Sequence, residues 1–460
     1  MSRARTLVPL AALSFVIGCA DQPAPTAASV RTPNLSTYTV TVAAPTILSG
    51  VSGSSFDIAV GINNSAEIAG VSGTVAVRWP AGSTVPAPVD ATDSRANDIN
   101  SIGQLVGEKN LRASLWTPNG SGGYTLTDIG AQLPAAIYSN AWGINSHGQV
   151  VGVYRPFATV GPFSDVCYLW TPTSANATSG TVTIFAGLGG TFCVANDINS
   201  GGYVVGASTT SAGAQHAFLW SPTSDNSGTG SIQNLGLAAF ASYGAAINDA
   251  LQIAGQYMTT TSAATAATWT PTGGGGFAVT QLGTFGGVES HAMDINDAGF
   301  VIGWVRNSSG VDNAFFWQNG TFTALPPGPN LTTSPNALTN LVGNVVRVVG
   351  ASTDPTTGAR AALRWDVAVS AVSAQGCLAQ LIQLVEQMRA SGKLSAGEAK
   401  SLLAKLDAAA RQLDAGKTAP ARNLLQALIS EVNALVSSDR LSTTDAGPVI
   451  DGANCVLGSL

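Results

Sequence analysis

Ala292-Met-Asp-Ile-Asn-Asp-Ala-Gly-Phe-Val-Ile-Gly303 is the fullest copy of a phrase that recurs through most of this 460-residue chain. Related copies run from Ala59 to Gly70, Ala96 to Gly107, Ala141 to Gly152, Ala195 to Gly206 and Gly244 to Gly255. A further unit ends at Val348-Val349-Gly350, although its first half, Asn336-Ala-Leu-Thr-Asn-Leu-Val-Gly343, does not keep the spacing. Self-similarity at a period of about 50 residues, from Tyr38 to Val369, signals a repeat architecture.

Each part of the phrase has a physical reading. Ahead of the turn small residues alternate, as in Ser290, Ala292 and Asp294, or Ser94, Ala96 and Asp98. Period two means a strand, and small side chains let a neighbouring sheet approach closely. The turn is Asn-x-x-Gly (Asn100 to Gly103, Asn145 to Gly148, Asn296 to Gly299). Asn first and Gly fourth suit a type I turn that closes a hairpin. A buried strand follows, then a third strand ending in tryptophan, as in Cys167-Tyr-Leu-Trp170 and Ala217-Phe-Leu-Trp220. Prolines 80, 118, 172, 222 and 271 stop most of these strands, because proline cannot continue a ladder. A fourth strand leads into a Gly-rich corner, as in Phe277 to Gly287.

Four short strands per unit and about seven units predict a mainly β chain, an about seven-bladed β-propeller over residues 38–369. Tyr38-Thr-Val-Thr-Val42 matches the fourth-strand segments, and the last repeat ends after its tryptophan strand. The first strand is therefore expected to close the ring by completing the last blade. The stretch between Trp79 and Ala96 is short and Pro-rich, so that blade is expected to lack a full outer strand. Six blades, eight blades or a β-solenoid are the alternatives. His216-Ala-Phe-Leu-Trp220, Leu282-Gly-Thr-Phe-Gly-Gly287 and Asp294 to Gly303 resemble the HAF-type bacterial extracellular repeat. That resemblance implies an exported, propeller-like module and no particular reaction.

Past Val369 glycine thins out and Ala, Leu, Lys and Glu take over. Leu378, Leu381, Ile382, Val385 and Met388 fall at helical spacing, and Ser395-Ala-Gly-Glu398 is a capping box opening a second helix. Two more amphipathic stretches follow, so residues 371–460 predict a small bundle of about four helices. The pattern from Leu378 to Leu457 resembles the FIMAH-type helical module of secreted bacterial proteins, which implies an accessory, adhesive role.

The N-terminus reads as a targeting segment. Arg3 and Arg5 precede the apolar stretch Leu7 to Ile17, and Val16-Ile17-Gly18-Cys19 resembles the lipobox of bacterial lipoproteins. The resemblance implies cleavage of residues 1–18 and lipidation of Cys19, with residues 19–37 as a Pro/Ala/Ser/Thr tether. No Asp directly follows Cys19, which favours the outer membrane over inner-membrane retention, on its periplasmic or outer side. The anchor is the expected membrane contact. In an oxidising compartment the four remaining cysteines allow three pairings. Cys377 with Cys455 would join the ends of the helical module, and Cys167 with Cys193 would staple neighbouring blades.

Composition and motifs narrow the function without naming it. Only 10% of residues are charged and the formal net charge is -6, with no basic stripe, so nucleic acid is not expected as a partner. His147, His216 and His291 occupy different places in different repeats, so no metal site is expected. Asp-x-Asn-x-x-Gly looks superficially like a calcium loop, but no late bidentate acid follows, and the turn explains Asn and Gly. No nucleophile elbow, zinc-protease motif or phosphate loop is present, and no cofactor is implied. Aromatics that break the repeat and are expected to be exposed, Tyr138, Trp142, Tyr154, Phe157 and Trp304, are the candidates for a protein- or glycan-binding surface. A binding scaffold rather than an enzyme is therefore the first expectation. A hydrolase or lyase working in the propeller channel is the second, since acids can converge there without a linear motif. A purely structural envelope role is the third.

Overall fold

The computed structural model describes residues 38–157, 165–236, 241–258, 263–272 and 275–460. The predicted signal peptide, Cys19 and the tether lie outside the described residues. Seven antiparallel sheets follow one another, each beginning with the small-residue strand, whose ranges are Asp57–Ile62, Ser94–Ile99, Ala136–Ile144, Gly189–Ile198, Ser242–Ile247, Glu289–Ile295 and Thr332–Leu338. These first strands touch one another in succession all the way round, the seventh returning to the first, so they border the central channel. The fold is the predicted seven-bladed β-propeller.

Ring closure is as expected. Tyr38–Val42 pairs antiparallel with the long last strand, Arg360–Ala371, in the register Tyr38 to Ala371 and Val42 to Val367. The first blade's outer strand is reduced to Ala87–Pro88, as its Pro-rich sequence predicts. The seventh hairpin, whose spacing is broken, keeps its strands but connects them through a longer loop, with Thr339 where the other blades carry Asn.

Packing explains the repeat. Trp79, Trp116, Trp170, Trp269 and Trp365 are completely buried between blades. Ser94, Ser139, Ser242 and Ser290 are buried as well, and each hydroxyl accepts the backbone N–H of the preceding blade's tryptophan strand at 2.9 Å. A larger residue there would hold the blades apart. The turn Asn does more than shape its own hairpin. In Asn100, Oδ1 accepts the N–H groups of Ile102 and Gln104, while Nδ2 donates to the carbonyl of Asn145 in the next blade at 3.3 Å. The same hand-over runs from Asn63 to Asn100, Asn145 to Asn199, Asn199 to Asn248, Asn248 to Asn296 and Asn296 to Thr339. The Asn340 N–H donates to Asn64 Oδ1, which carries this girdle back to the first blade.

Helices α1 (Ala374–Ala390), α2 (Ala396–Asp414), α3 (Thr418–Ser437) and α4 (Thr443–Gly458) form the C-terminal bundle. Each packs on the next, and α4 returns against α1 around a core that includes Leu381, Leu406, Leu428 and Val456. Ser395 and Glu398 cap α2 reciprocally. None of the described helices is long and apolar enough to cross a membrane. Cys377 is bonded to Cys455 across α1 and α4, and Cys167 to Cys193 across the third and fourth blades. Both bonds fit an oxidising compartment.

Candidate functional site at the central channel

The channel wall is built by one irregularity repeated seven times. In every first strand the register slips by a residue at the same place, from Ala59/Gly61 in the first blade to Pro335/Ala337 in the seventh. A bulge frees the extra residue from the ladder and re-aims its side chain. The freed residues are Val60, Asn97, Trp142, Asn196, Ala245, Met293 and Asn336. Opposite each bulge stands the glycine that ends the repeat phrase. A Cβ on Gly303 would collide with the His291 carbonyl, and one on Gly107 with the Arg95 carbonyl.

Bulged asparagines tie the wall together. Asn97, Asn196 and Asn336 donate to the carbonyls of Ala141, Gly244 and Ala59 in the following blades, at 2.7, 2.7 and 2.8 Å. In the third blade the bulged residue is Trp142, 37% exposed. One position further on, the ring reads Gly61, Asp98, Gly143, Asp197, Ala246, Asp294, Ala337. Aspartates therefore alternate with small residues, and a Cβ on Gly61 would lie 2.8 Å from the Asp98 Cα. Small neighbours make room for the carboxylates.

Each of these aspartates accepts two backbone N–H groups, one from its own strand and one from the next blade. Asp98 takes Ile99 and Ile144 at 2.7 and 2.9 Å, Asp197 takes Ile198 and Ile247 at 2.7 and 2.8 Å, and Asp294 takes Ile295 and Leu338 at 2.7 and 2.8 Å. Burial raises all three acids, Asp98 to about 7, Asp197 to about 6 and Asp294 well above the carboxylate range. Asp197 repels Asp98, and both repel Asp294, although their blades are not adjacent. Three buried carboxylates on alternate blades thus belong to the strands that border the channel. Among the described residues no group of three or more His, Cys, Asp or Glu side chains is placed to hold a metal ion.

The predicted aromatics do not form a single patch. Tyr138 and Trp142 share the first strand of the third blade, and Phe157, 63% exposed, lies just beyond that blade's second strand, Val150–Pro156. The Tyr138 hydroxyl accepts from Asn140 Nδ2 at 3.2 Å, and burial raises its pKa. Tyr154 corrects the expectation of an exposed ring. It is 5% exposed and belongs to the core with Tyr168 and Trp170, because its register position faces the neighbouring blade. Trp304 is in the sixth blade, half-buried and stacked on His291 at 4.0 Å, with the Arg306 guanidinium 4.9 Å from its ring. Burial and then the Arg306 charge hold His291 down at about 4, so its imidazole is neutral. In the sequence Asp294 and Asp98 read only as members of a small-residue strand, and the carboxylate ring is not visible there. The signal for it was the alternation of Asp with Gly or Ala from one repeat to the next.

Similarity to solved structures is low. A protein of unknown function from Dyadobacter fermentans is 14% identical, with a TM-score of 0.42, over 72% of this chain and 99% of that one. A puromycin-hydrolysing peptidase of Mycobacterium tuberculosis is 12% identical, with a TM-score of 0.39, over 61% and 48%. A putative TolB of Agrobacterium tumefaciens is 12% identical, with a TM-score of 0.30, over 68% and 90%. No curated protein matches the sequence. The helical module is the part that matches a family model: residues 378–453 are similar to the FIMAH domain.

Proposed function

We propose that this protein is an exported, lipid-anchored binding scaffold of the bacterial cell envelope, taking a protein or glycan ligand at the mouth of the propeller channel. One observation carries the reading. The positions that the repeats share, the turn Asn, the blade-facing Ser and the second-strand Gly, are consumed in building the ring. Side chains differ between repeats where the first strands border the channel, and there the chain displays Trp142, Tyr138, His291 and Arg95. Rigid aromatics beside polar groups suit recognition. The lipobox-like Cys19 and the two disulfides support an exported location. Palmitate labelling of cells tests the anchor: the label is expected on the wild type and lost in Cys19→Ala, and its persistence would refute lipidation. Capture of isolated envelope proteins and glycans by the full protein tests the binding, with Trp142→Ala expected to weaken it.

A second reading is carried by the three buried carboxylates of the channel-bordering strands. An acid held near neutrality is suited to proton transfer, so a hydrolase or lyase acting in the channel is the alternative. Release of soluble fragments from envelope polysaccharide, abolished by Asp98→Asn, would favour it over binding alone.

A further inference from the structure

Among the described residues of the propeller, Arg78, Lys109, Arg112, Arg155, Arg306, Arg347 and Arg364 each form a salt bridge with Asp or Glu. Arg95 and Arg360 are the exceptions, and they sit together. Arg95 is on the first strand of the second blade, and Arg360 opens the last strand of the seventh. Both guanidinium groups approach the same ring, Phe56, which precedes the first strand of the blade between them. The guanidinium carbons are 5.9 Å and 5.0 Å from its centroid. Phe56 is held in place by a bridge to the Arg360 backbone, whose N–H donates to the Ser55 carbonyl at 2.9 Å. Burial, and after it the Arg95 charge, lowers the pKa of Arg360.

Three carboxylates lie near the pair, and the first, Glu108, stands opposite Arg95 in the hairpin register and accepts from Asn140 Nδ2 at 3.4 Å. Arg360 lines a cavity of about 240 Å³ together with Thr332, Ser334, Asn336 and Thr353. The one acid in its wall, Asp312, is engaged by Arg306 through two bonds of 2.7 and 3.2 Å. Asp57, next to Phe56, is buried and accepts the Ser72 hydroxyl. Two half-buried like charges against one ring oppose folding, while an arriving anion would relieve both.

We infer that Arg95 and Arg360 form the anion-binding end of a site for an acidic saccharide, whose charged group lies at the guanidinium pair and whose hydroxyls enter the adjoining polar cavity. Guanidinium groups match carboxylate and phosphate oxygens through paired N–H donors, so either group can carry the charge. Threonine, serine and asparagine side chains offer the donors and acceptors that sugar hydroxyls need. The site rests on the binding reading above only in that the ligand is a glycan.

Calorimetric titration of the full protein in detergent with glucuronic acid, glucose 1-phosphate and glucose tests it. At least one anionic sugar is expected to bind more tightly than glucose, and which one does identifies the charged group. Arg95→Gln and Arg360→Gln are each expected to weaken that binding roughly tenfold or more, the loss of a charge-assisted hydrogen bond. Neither substitution should lower the Tm of the free protein, because each removes a repulsion, so loss of binding is separable from loss of fold. Equal binding of all three sugars, or affinity that survives the double substitution, would overturn the site. Capture of acidic envelope glycan that survives the double substitution would overturn it too, while leaving the scaffold reading standing. Failure of the wild type to capture any envelope material would instead count against that broader reading.

Discussion

Two kinds of glycine separate at the residue scale. Gly303 has no room for a Cβ because the bulged strand's His291 carbonyl occupies the space, whereas Gly299 is needed for its positive φ of 75° in the turn. Gly303→Ala should therefore destabilise the protein by about 1–3 kcal/mol, the usual cost of forcing extra volume into a packed site. Of the six turns that open on Asn, two place Ala66 at φ 64° and Leu251 at φ 59° where the other four use glycine. A left-handed conformation costs an L-residue roughly 1–2 kcal/mol, so Ala66→Gly should gain about 0.5–1 kcal/mol after its greater unfolded-state entropy is counted. Urea midpoints of the two variants check both signs. The turn glycine was legible in the sequence, since Asn-x-x-Gly carries its own local chemistry. The reason for the strand-ending glycine was not, because it depends on a bulge across the hairpin that no short window reveals.

Elements are joined by contacts that the repeat encodes only in part. Alternating Ser and Ala announced a strand that a neighbour could approach, and the buried Ser94, Ser139, Ser242 and Ser290 are approached in that way. The blade-to-blade bonds of the turn asparagines were hidden behind a sufficient local explanation, the turn itself. Asn199→Asp separates the two roles. It keeps the acceptor for the Gly201 and Tyr203 N–H groups but sets an oxygen against the Asn248 carbonyl. An unsatisfied buried acceptor predicts a loss of about 1–3 kcal/mol, read from the same urea transitions. In the helical module, Cys377 and Cys455 close 78 residues of chain. Replacing both by Ser should cost about 2–5 kcal/mol, seen as an earlier thermal transition of that module.

For the whole molecule, radial closure gathers in one channel what the sequence spreads over alternate repeats. That is why the seven-bladed ring was legible from the period, whereas the carboxylate ring and the arginine pair were not: each joins residues from blades far apart in the chain. Closure also gives a signature in pH. Asp98 is raised from 3.8 to about 7 and Asp197 to about 6, so below these values the folded protein holds protons that the unfolded chain has released. Stability should therefore rise as the pH falls from 8 to 6, and Asp98→Asn should flatten that rise in Tm. His291, lowered from 6.5 to about 4, acts in the opposite sense, chiefly below pH 6.5. If shared positions build the ring and differing positions bind, envelope capture by matched variants separates the two. Tyr138→Ala with Trp142→Ala alters the channel wall, while Leu126→Ala with Ile184→Ala removes exposed apolar side chains of outer strands. Capture of envelope protein or glycan should fall roughly tenfold or more for the channel pair, the range for aromatic anchors, and stay unchanged for the outer pair. Equal capture by both, or loss confined to the outer pair, would show that the channel wall does not bind the ligand.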